Sequence, residues 1–189
     1  INSTMESTRI FLVRCNFHLR NLTMDGANLR VNNTFTSLID AFGNSSGKPT
    51  LDVRDCHLMR ANGSSCRTGS DSWGGMIVEN CIIDQPCEFH DQIDIEVSID
   101  EGYAHIRNNF LDRTNGTFSG TGSTITSGGG KNIVVEDNII RRIAGKTVFG
   151  ISLEGSFGDF EQCVIKNNYM ENGRIWIGDT GSWPNTINN

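Results

Sequence analysis

One six-residue phrase recurs five times along this chain, each copy 25 to 30 residues after the last. It runs Val53-Arg54-Asp55-Cys56-His57-Leu58, then Val78-Glu79-Asn80-Cys81-Ile82-Ile83, then Ile106-Arg107-Asn108-Asn109-Phe110-Leu111. The last two copies are Val135-Glu136-Asp137-Asn138-Ile139-Ile140 and Ile165-Lys166-Asn167-Asn168-Tyr169-Met170. The outer positions are aliphatic or Met, the third is Asp or Asn, and the fourth is Cys or Asn. A period of this size implies stacked structural units, each burying its apolar side against the next. The spacing is too irregular for a helix-pair repeat and too short for a propeller blade.

Within each phrase, apolar and polar residues alternate, which is the period of a strand. The alternation extends upstream, so Leu51 and Val53, Met76 and Val78, Ala104 and Ile106, Ile133 and Val135, and Cys163 and Ile165 are expected to point inward. The residues between them then form outward columns. One column reads Arg54, Glu79, Arg107, Glu136, Lys166, with the sign of charge alternating at every step. Parallel strands lie about 4.8 Å apart, and unlike charges facing across a strand pair contribute roughly 0.2–1 kcal/mol. In-register stacking selects such alternation. At the fourth position, Asn suits a left-handed bend, and its amide can bond the Asn one rung above. Cys56 and Cys81 would continue that ladder as small buried groups.

The repeated phrase with its Asn ladder resembles the right-handed parallel β-helix of the pectate-lyase-like superfamily, which includes many bacteriophage tailspikes. The expected fold is therefore all-β, a right-handed parallel β-helix (solenoid) of about six coils with an internal Asn/Cys ladder. One β-helix domain is expected over residues 1–189, with less regular first coils over 1–50 and regular coils over 50–180. Leu19-Arg20-Asn21-Leu22-Thr23-Met24 is a weaker first copy, with Leu at the ladder position. Both chain ends read as uncapped, so an internal piece of a longer polypeptide is expected.

With 37% hydrophobic and 20% charged residues, the chain reads as a soluble protein without a membrane span. A net charge of −6 argues against nucleic acid as a ligand, because phosphate contacts need clustered Lys and Arg. Of six cysteines, Cys56, Cys81 and Cys163 are expected as buried thiols, whereas Cys66 and Cys87 lie in loops of neighbouring coils where a bridge is an alternative. The acidic run of Glu88, Asp91, Asp94, Glu96, Asp100 and Glu101 lacks the spacing of a calcium loop. A solvated face is the expectation there, with calcium the alternative and no other cofactor or metal.

The best place for a ligand surface is a second strand in each coil, following the bend and represented by 93–99, 123–126, 150–154 and 174–179. If its Ile, Val and Leu residues point inward, Asp94, Glu96, Ser98, Thr124, Thr126, Ser152, Glu154, Trp176 and Asp179 point out. Carboxylates, hydroxyls and an indole with few cations suit a sugar. Asp94 with Glu96, and Glu154 with Asp159 or Asp179, are the candidate pairs for two-carboxylate glycoside hydrolysis, which needs separations of about 5 to 9.5 Å. The alternative for each is a solvated side chain. Trp176, Ser152, Thr126 and Trp183 are the candidate substrate-binding residues. Uronate-lyase chemistry would turn instead to Arg141, Arg142 and Lys146.

On the first strand, Ile77, Val134 and Val164 form an outward apolar stripe, with Phe110, Ile139 and Tyr169 adding to it after the bend. Such a stripe usually marks a covered surface. The resemblance to tailspikes implies a homotrimer through it, a covering loop being the alternative. The functional expectation is a polysaccharide-binding tailspike or fibre solenoid at a virion surface or outside the cell, with cleavage of a host glycan left open. A secreted bacterial pectate-lyase-like enzyme and an inactive structural solenoid or adhesin are the alternatives.

Overall fold

The computed structural model describes residues 3–6, 10–12, 16–27, 37–42, 48–69, 74–84, 91–95, 102–114, 122–142, 149–154, 160–178 and 186–188, with backbone alone at 3–6, 10–12, 42 and 186–188. All regular structure among them is strand. Most of the strands stack into three parallel seven-stranded sheets, each visited once per coil, and Gly130–Lys131 pairs with Phe160–Glu161 in a small parallel sheet of its own. Face I holds Phe17–Arg20, Thr50–Arg54, Gly75–Glu79, Tyr103–Arg107, Ile133–Glu136, Val164–Lys166 and Thr186–Asn188. Face II follows the bend, with Ser3–Glu6, Leu22–Asp25, His57–Met59, Ile82–Asp84, Phe110–Asp112, Ile139–Arg141 and Tyr169–Glu171. Face III comprises Ile10–Leu12, Ile39–Phe42, Cys66–Gly69, Ile93–Ile95, Ile125–Ser127, Ile151–Leu153 and Ile175–Ile177. A parallel β-solenoid is thus the fold, with seven strands per face against the about six coils expected. The extra face arises because the end of each repeated phrase is a separate three-residue strand beyond a bend.

The inward positions of face I fall where the period-two reading puts them on the five rungs from Val53 to Ile165. Val53 pairs with Val78, Val78 with Ile106, Ile106 with Val135, and Val135 with Ile165, and all five are buried. Met24, Leu58, Ile83, Leu111 and Ile140 form the matching inward column of face II, and Ile39, Cys66, Ile93, Ile125 and Ile151 that of face III. Each of these aliphatic side chains contributes about 1.5–3 kcal/mol by leaving water. The weak first copy is in register too, since Leu19 lies opposite Val53 and Arg20 opposite Arg54.

The bend between faces I and II divides its work between two positions. The left-handed conformation falls on the third residue of the phrase, with φ of 52° to 56° at Asn21, Asp55, Asn80, Asn108, Asp137 and Asn167. It does not fall on the fourth, where it was expected. Asn and Asp tolerate this conformation because their short polar chains bond locally. The fourth residue turns inward and builds the ladder. Asn109 Nδ2 donates to Asn138 Oδ1 at 2.9 Å, and Asn138 Nδ2 to Asn168 Oδ1 at 2.9 Å. The same oxygens accept the backbone N–H of Asn109 and Asn138, at 3.0 and 3.2 Å. Each amide also caps a carbonyl of the neighbouring rung: Asn109 to Val78, Asn138 to Ile106 and Asn168 to Val135, all at 2.9 Å. The cysteines carry the pattern on. Cys81 N–H donates to Asn109 Oδ1 at 2.9 Å, and Cys56 occupies the same position one rung further on.

The charge column is a chain of ion pairs. Glu79 sits between Arg54 at 2.9 Å and Arg107 at 3.0 Å, and Lys166 reaches Glu136 at 2.8 Å. Alternation fails only at the first step, where Arg20 faces Arg54. There Asp52, one column over, bonds Arg20 at 2.5 Å, Arg54 at 2.9 Å and His18 at 3.1 Å. Burial pushes the Asp52 carboxyl up, but Arg20, Arg54 and His18 together hold it below its ordinary value of 3.8. Asp25 is lowered as well, chiefly by the hydrogen bond from Arg60.

Two predictions follow from this bend and these carboxylates. Asn138→Ala leaves two buried donors of Asn109 without their acceptor, at about 1–3 kcal/mol each, so a stability loss of at least about 2 kcal/mol is expected in denaturant titration. Because Asp25 and Asp52 are depressed in the folded chain, their stabilisation is present above the ordinary carboxylate range and is lost as pH falls through it. Asp52→Asn should therefore lose less stability than wild type between about pH 5 and pH 3 in thermal melts.

Candidate functional site

Face III gathers four of the candidate residues into one column. Asp94 pairs with Thr126, Thr126 with Ser152, and Ser152 with Trp176, on consecutive rungs about 4.8 Å apart. Ile93, Ile125 and Ile151 beside them are buried, as the alternation requires. Ser152 Oγ donates to Glu154 Oε1 at 3.2 Å, so both side chains lie on the outer side, with Glu154 exposed.

At the lower end of the column, Trp176 is 39% exposed although it carries one of the largest apolar surfaces in the chain. Its ring stacks on Phe149, with centroids 5.4 Å apart and planes 27° from parallel. The Arg174 guanidinium covers Phe149 at 4.8 Å from the ring centre. An Arg over an aromatic face contributes about 0.5–1 kcal/mol at an exposed site and holds the platform in place. Gly178 packs tightly here, because a Cβ would come 2.9 Å from the Glu154 carbonyl oxygen and 3.1 Å from the Trp176 ring. The result is an aromatic platform with a carboxylate, a hydroxyl and a guanidinium at its edge.

The rest of the column is more enclosed than a bare sheet face. Thr126 and Ser152 are buried, whereas the alternation alone placed them in solvent. Among the described residues Thr126 Oγ1 has no hydrogen-bond partner. Asp94 is half-buried and bonded to Arg67 at 3.2 Å, so its carboxylate is engaged along the sheet. Its intended partner Glu96 lies outside the described residues, as do Asp159, Asp179 and Trp183. The carboxylate separations of the candidate pairs therefore stay expectations.

The cations considered for lyase chemistry are placed differently from one another. Arg141 is bonded to Glu171 at 2.8 Å and Asp112 at 3.4 Å. Arg142 is 2% exposed and donates to Gly122 O at 3.3 Å and Thr124 Oγ1 at 3.5 Å. Burial, with the neighbouring Arg113 cation, lowers it to about 9. A group so enclosed is not presented to a polymer. Lys146 lies outside the described residues.

The acidic run is represented by Asp91 and Asp94. Asp91 Oδ1 accepts the Ser123 N–H at 2.5 Å, which ties two coils together. Among the described residues no cluster of three His, Cys, Asp or Glu side chains is placed to hold a metal. Among those same residues no helix is long and apolar enough to cross a membrane.

Of the two parts of the apolar stripe, the part after the bend is the more exposed. Ile77, Val134 and Val164 are half-buried on face I. Beyond the bend, Ile82, Phe110, Ile139 and Tyr169 stack in register on four consecutive rungs of face II. Ile82 and Ile139 are each nearly half exposed and Tyr169 is 62% exposed. Charged columns flank this ridge: Glu79, Arg107, Glu136 and Lys166 on one side, and Asp84, Asp112, Arg141 and Glu171 on the other.

One feature escaped the sequence. A cleft of about 350 Å³ opens at the bend, lined by Asn21, Leu22, Thr23, Asp55, Cys56, His57, Asn80 and Ile82. His57 Nε2 lies 3.3 Å from Asp84 Oδ2 at its edge. Its only signal was the repeat itself, in which Cys replaces Asn at two successive ladder positions. Cys66, offered as a bridge partner for Cys87, is a fully buried free thiol, and Cys87 lies outside the described residues. Comparison with protein-family models, with curated proteins and with solved structures finds no match.

Proposed function

We propose that this solenoid binds a polysaccharide along face III, as a bacteriophage tailspike or fibre does at a virion surface. The observation that carries the reading is Trp176, outward on a sheet and 39% exposed, backed by Phe149 and bordered by Glu154 and Ser152. Sugar rings present C–H faces that stack on an indole and hydroxyls that pair with carboxylates. Asp94 and Trp176, the accessible ends of the column, lie three rung spacings apart, about 14 Å, the scale of several sugar units, with Thr126 and Ser152 buried between them. Cleavage belongs to this proposal only through Glu154, the exposed carboxylate beside the platform, since Asp94 is already bonded to Arg67.

The ridge Ile82, Phe110, Ile139, Tyr169 supports assembly of like chains, with a homotrimer as the expected form. Exposed apolar columns on a solenoid favour covering by another surface, and the flanking rows carry both signs of charge.

Trp176→Ala tests the sugar site. With the strand content unchanged by circular dichroism, retention on the bacterial surface polysaccharide that holds wild type should fall at least about tenfold, a loss of about 1.4 kcal/mol. Unchanged retention would remove face III as the binding surface. New reducing ends from the same glycan, lost in Glu154→Gln, would identify hydrolysis, and their absence would leave binding alone. For assembly, wild type should sediment as a trimer and Tyr169→Arg as a monomer. A wild-type monomer at micromolar concentration would sink that part of the proposal.

A further inference from the structure

Cys56 and Cys81 occupy successive ladder positions, each directly after a left-handed residue, Asp55 and Asn80, with φ of 55°. The two chains leave the bend in the same direction. Inter-rung hydrogen bonds fix their spacing on both sides: Asp55 N–H to Glu79 O at 3.1 Å and Ile82 N–H to Cys56 O at 2.9 Å. Parallel strands so bonded lie about 4.8 Å apart. A disulfide spans Cα separations of about 4.4–6.8 Å and Cβ separations of about 3.5–4.5 Å. The two β-carbons therefore need to close by less than about 1 Å.

The two thiols influence each other directly, the Cys81 side chain lowering Cys56 to about 7 while Cys56, with burial, raises Cys81. As thiols they also reach the carbonyls two residues upstream, Cys56 to Arg54 at 3.1 Å and Cys81 to Glu79 at 3.2 Å. Both are buried, Cys56 at 3% and Cys81 at 1% exposure, and what differs is their place at the cleft. Cys56 forms part of the wall of the cleft at the bend, and Cys81 does not. Cys66 and Cys163 are buried away from it.

We propose that Cys56 and Cys81 are a redox modification site, in which Cys56 takes up a small-molecule disulfide from the cleft and Cys81 resolves it to an inter-rung bridge. The Cys56 thiolate attacks one sulfur of the reagent disulfide, and the first reagent thiolate leaves and takes a proton. Cys81 then gives up its proton to solvent and attacks Cys56 Sγ, expelling the second reagent thiolate. Two protein thiols are oxidised and one small disulfide is reduced to two thiols. The order follows from access and from charge. The neighbouring Cys81 side chain lowers Cys56 and so favours its thiolate, while the pairing and burial raise Cys81 and keep it a thiol. A bridge that draws two rungs together is strained, and strained bridges are the readily reduced ones.

The test uses the full chain with oxidised glutathione, followed by alkylation, digestion and peptide mass mapping. Wild type should give a linked peptide pair, Cys56 to Cys81, with loss of two hydrogens and of alkylation at both thiols, reversed by dithiothreitol. Cys81→Asn restores the side chain that the neighbouring rungs use and keeps the ladder. It should accumulate a stable glutathione adduct at Cys56, while Cys56→Asn should show none at Cys81 while folded. A lasting adduct at wild-type Cys56 without the bridge, or no reaction at either thiol in the folded chain, would overturn the proposal. Complete labelling in denaturant confirms that the reagent is active, and circular dichroism confirms that both variants are folded.

Discussion

Inter-rung hydrogen bonding at the bend between faces I and II sets everything else in this molecule. A parallel coil has only short strands of three to five residues on each face, and a strand that short holds its register weakly by itself. The ladder supplies the missing specification. An Asn amide at the fourth position bonds the rung above, the rung below and a backbone carbonyl at once, so a slip of one residue would leave several buried polar groups unpaired. With register fixed there, the inward aliphatic columns stack by default. The outward columns then come into line, and both the charge column and the face III column are consequences of it.

The functional surfaces follow from the same regularity by exception. Where a column repeats compatible residues, as with Glu79 between Arg54 and Arg107, the face is self-satisfied and has nothing left to offer a ligand. Where the column changes character, as from Ser152 to Trp176, an aromatic surface stands out with polar groups at its edge. Face II behaves the same way: four apolar residues in register make a ridge that the charged rows on either side cannot cover.

Sequence alone read the fold well because the fold is periodic. Five copies of one phrase were enough to assign Val53, Val78, Ile106, Val135 and Ile165 to the core and to foresee the salt-bridge column. The errors lie where periodicity carries no information. The left-handed residue and the ladder residue are adjacent and both are often Asn, so composition could not say that Asn108 bends and Asn109 bonds. Three-residue strands are shorter than the window in which alternation can be counted, which hid the separation of faces I and II. Thr126 and Ser152 obey the alternation and are buried all the same, because burial on an outer face depends on what else packs there. The cleft beside Cys56 depends on side-chain volume at one corner of three coils, and no local pattern encodes it.

The alternating charge column also constrains how such a solenoid can change length. Repeat proteins grow and shrink by duplication or deletion of whole units. Deleting the coil that carries Glu79 would set Arg54 directly against Arg107, and duplicating it would set glutamate against glutamate. Either event exchanges favourable cross-strand pairs for repulsive ones of similar size. Two coils gained or lost together would preserve the alternation, so only an even change in coil number leaves the charge column intact along this stretch. The step from Arg20 to Arg54 shows what a single-coil event demands, for there the like charges are reconciled by Asp52 inserted from the neighbouring column.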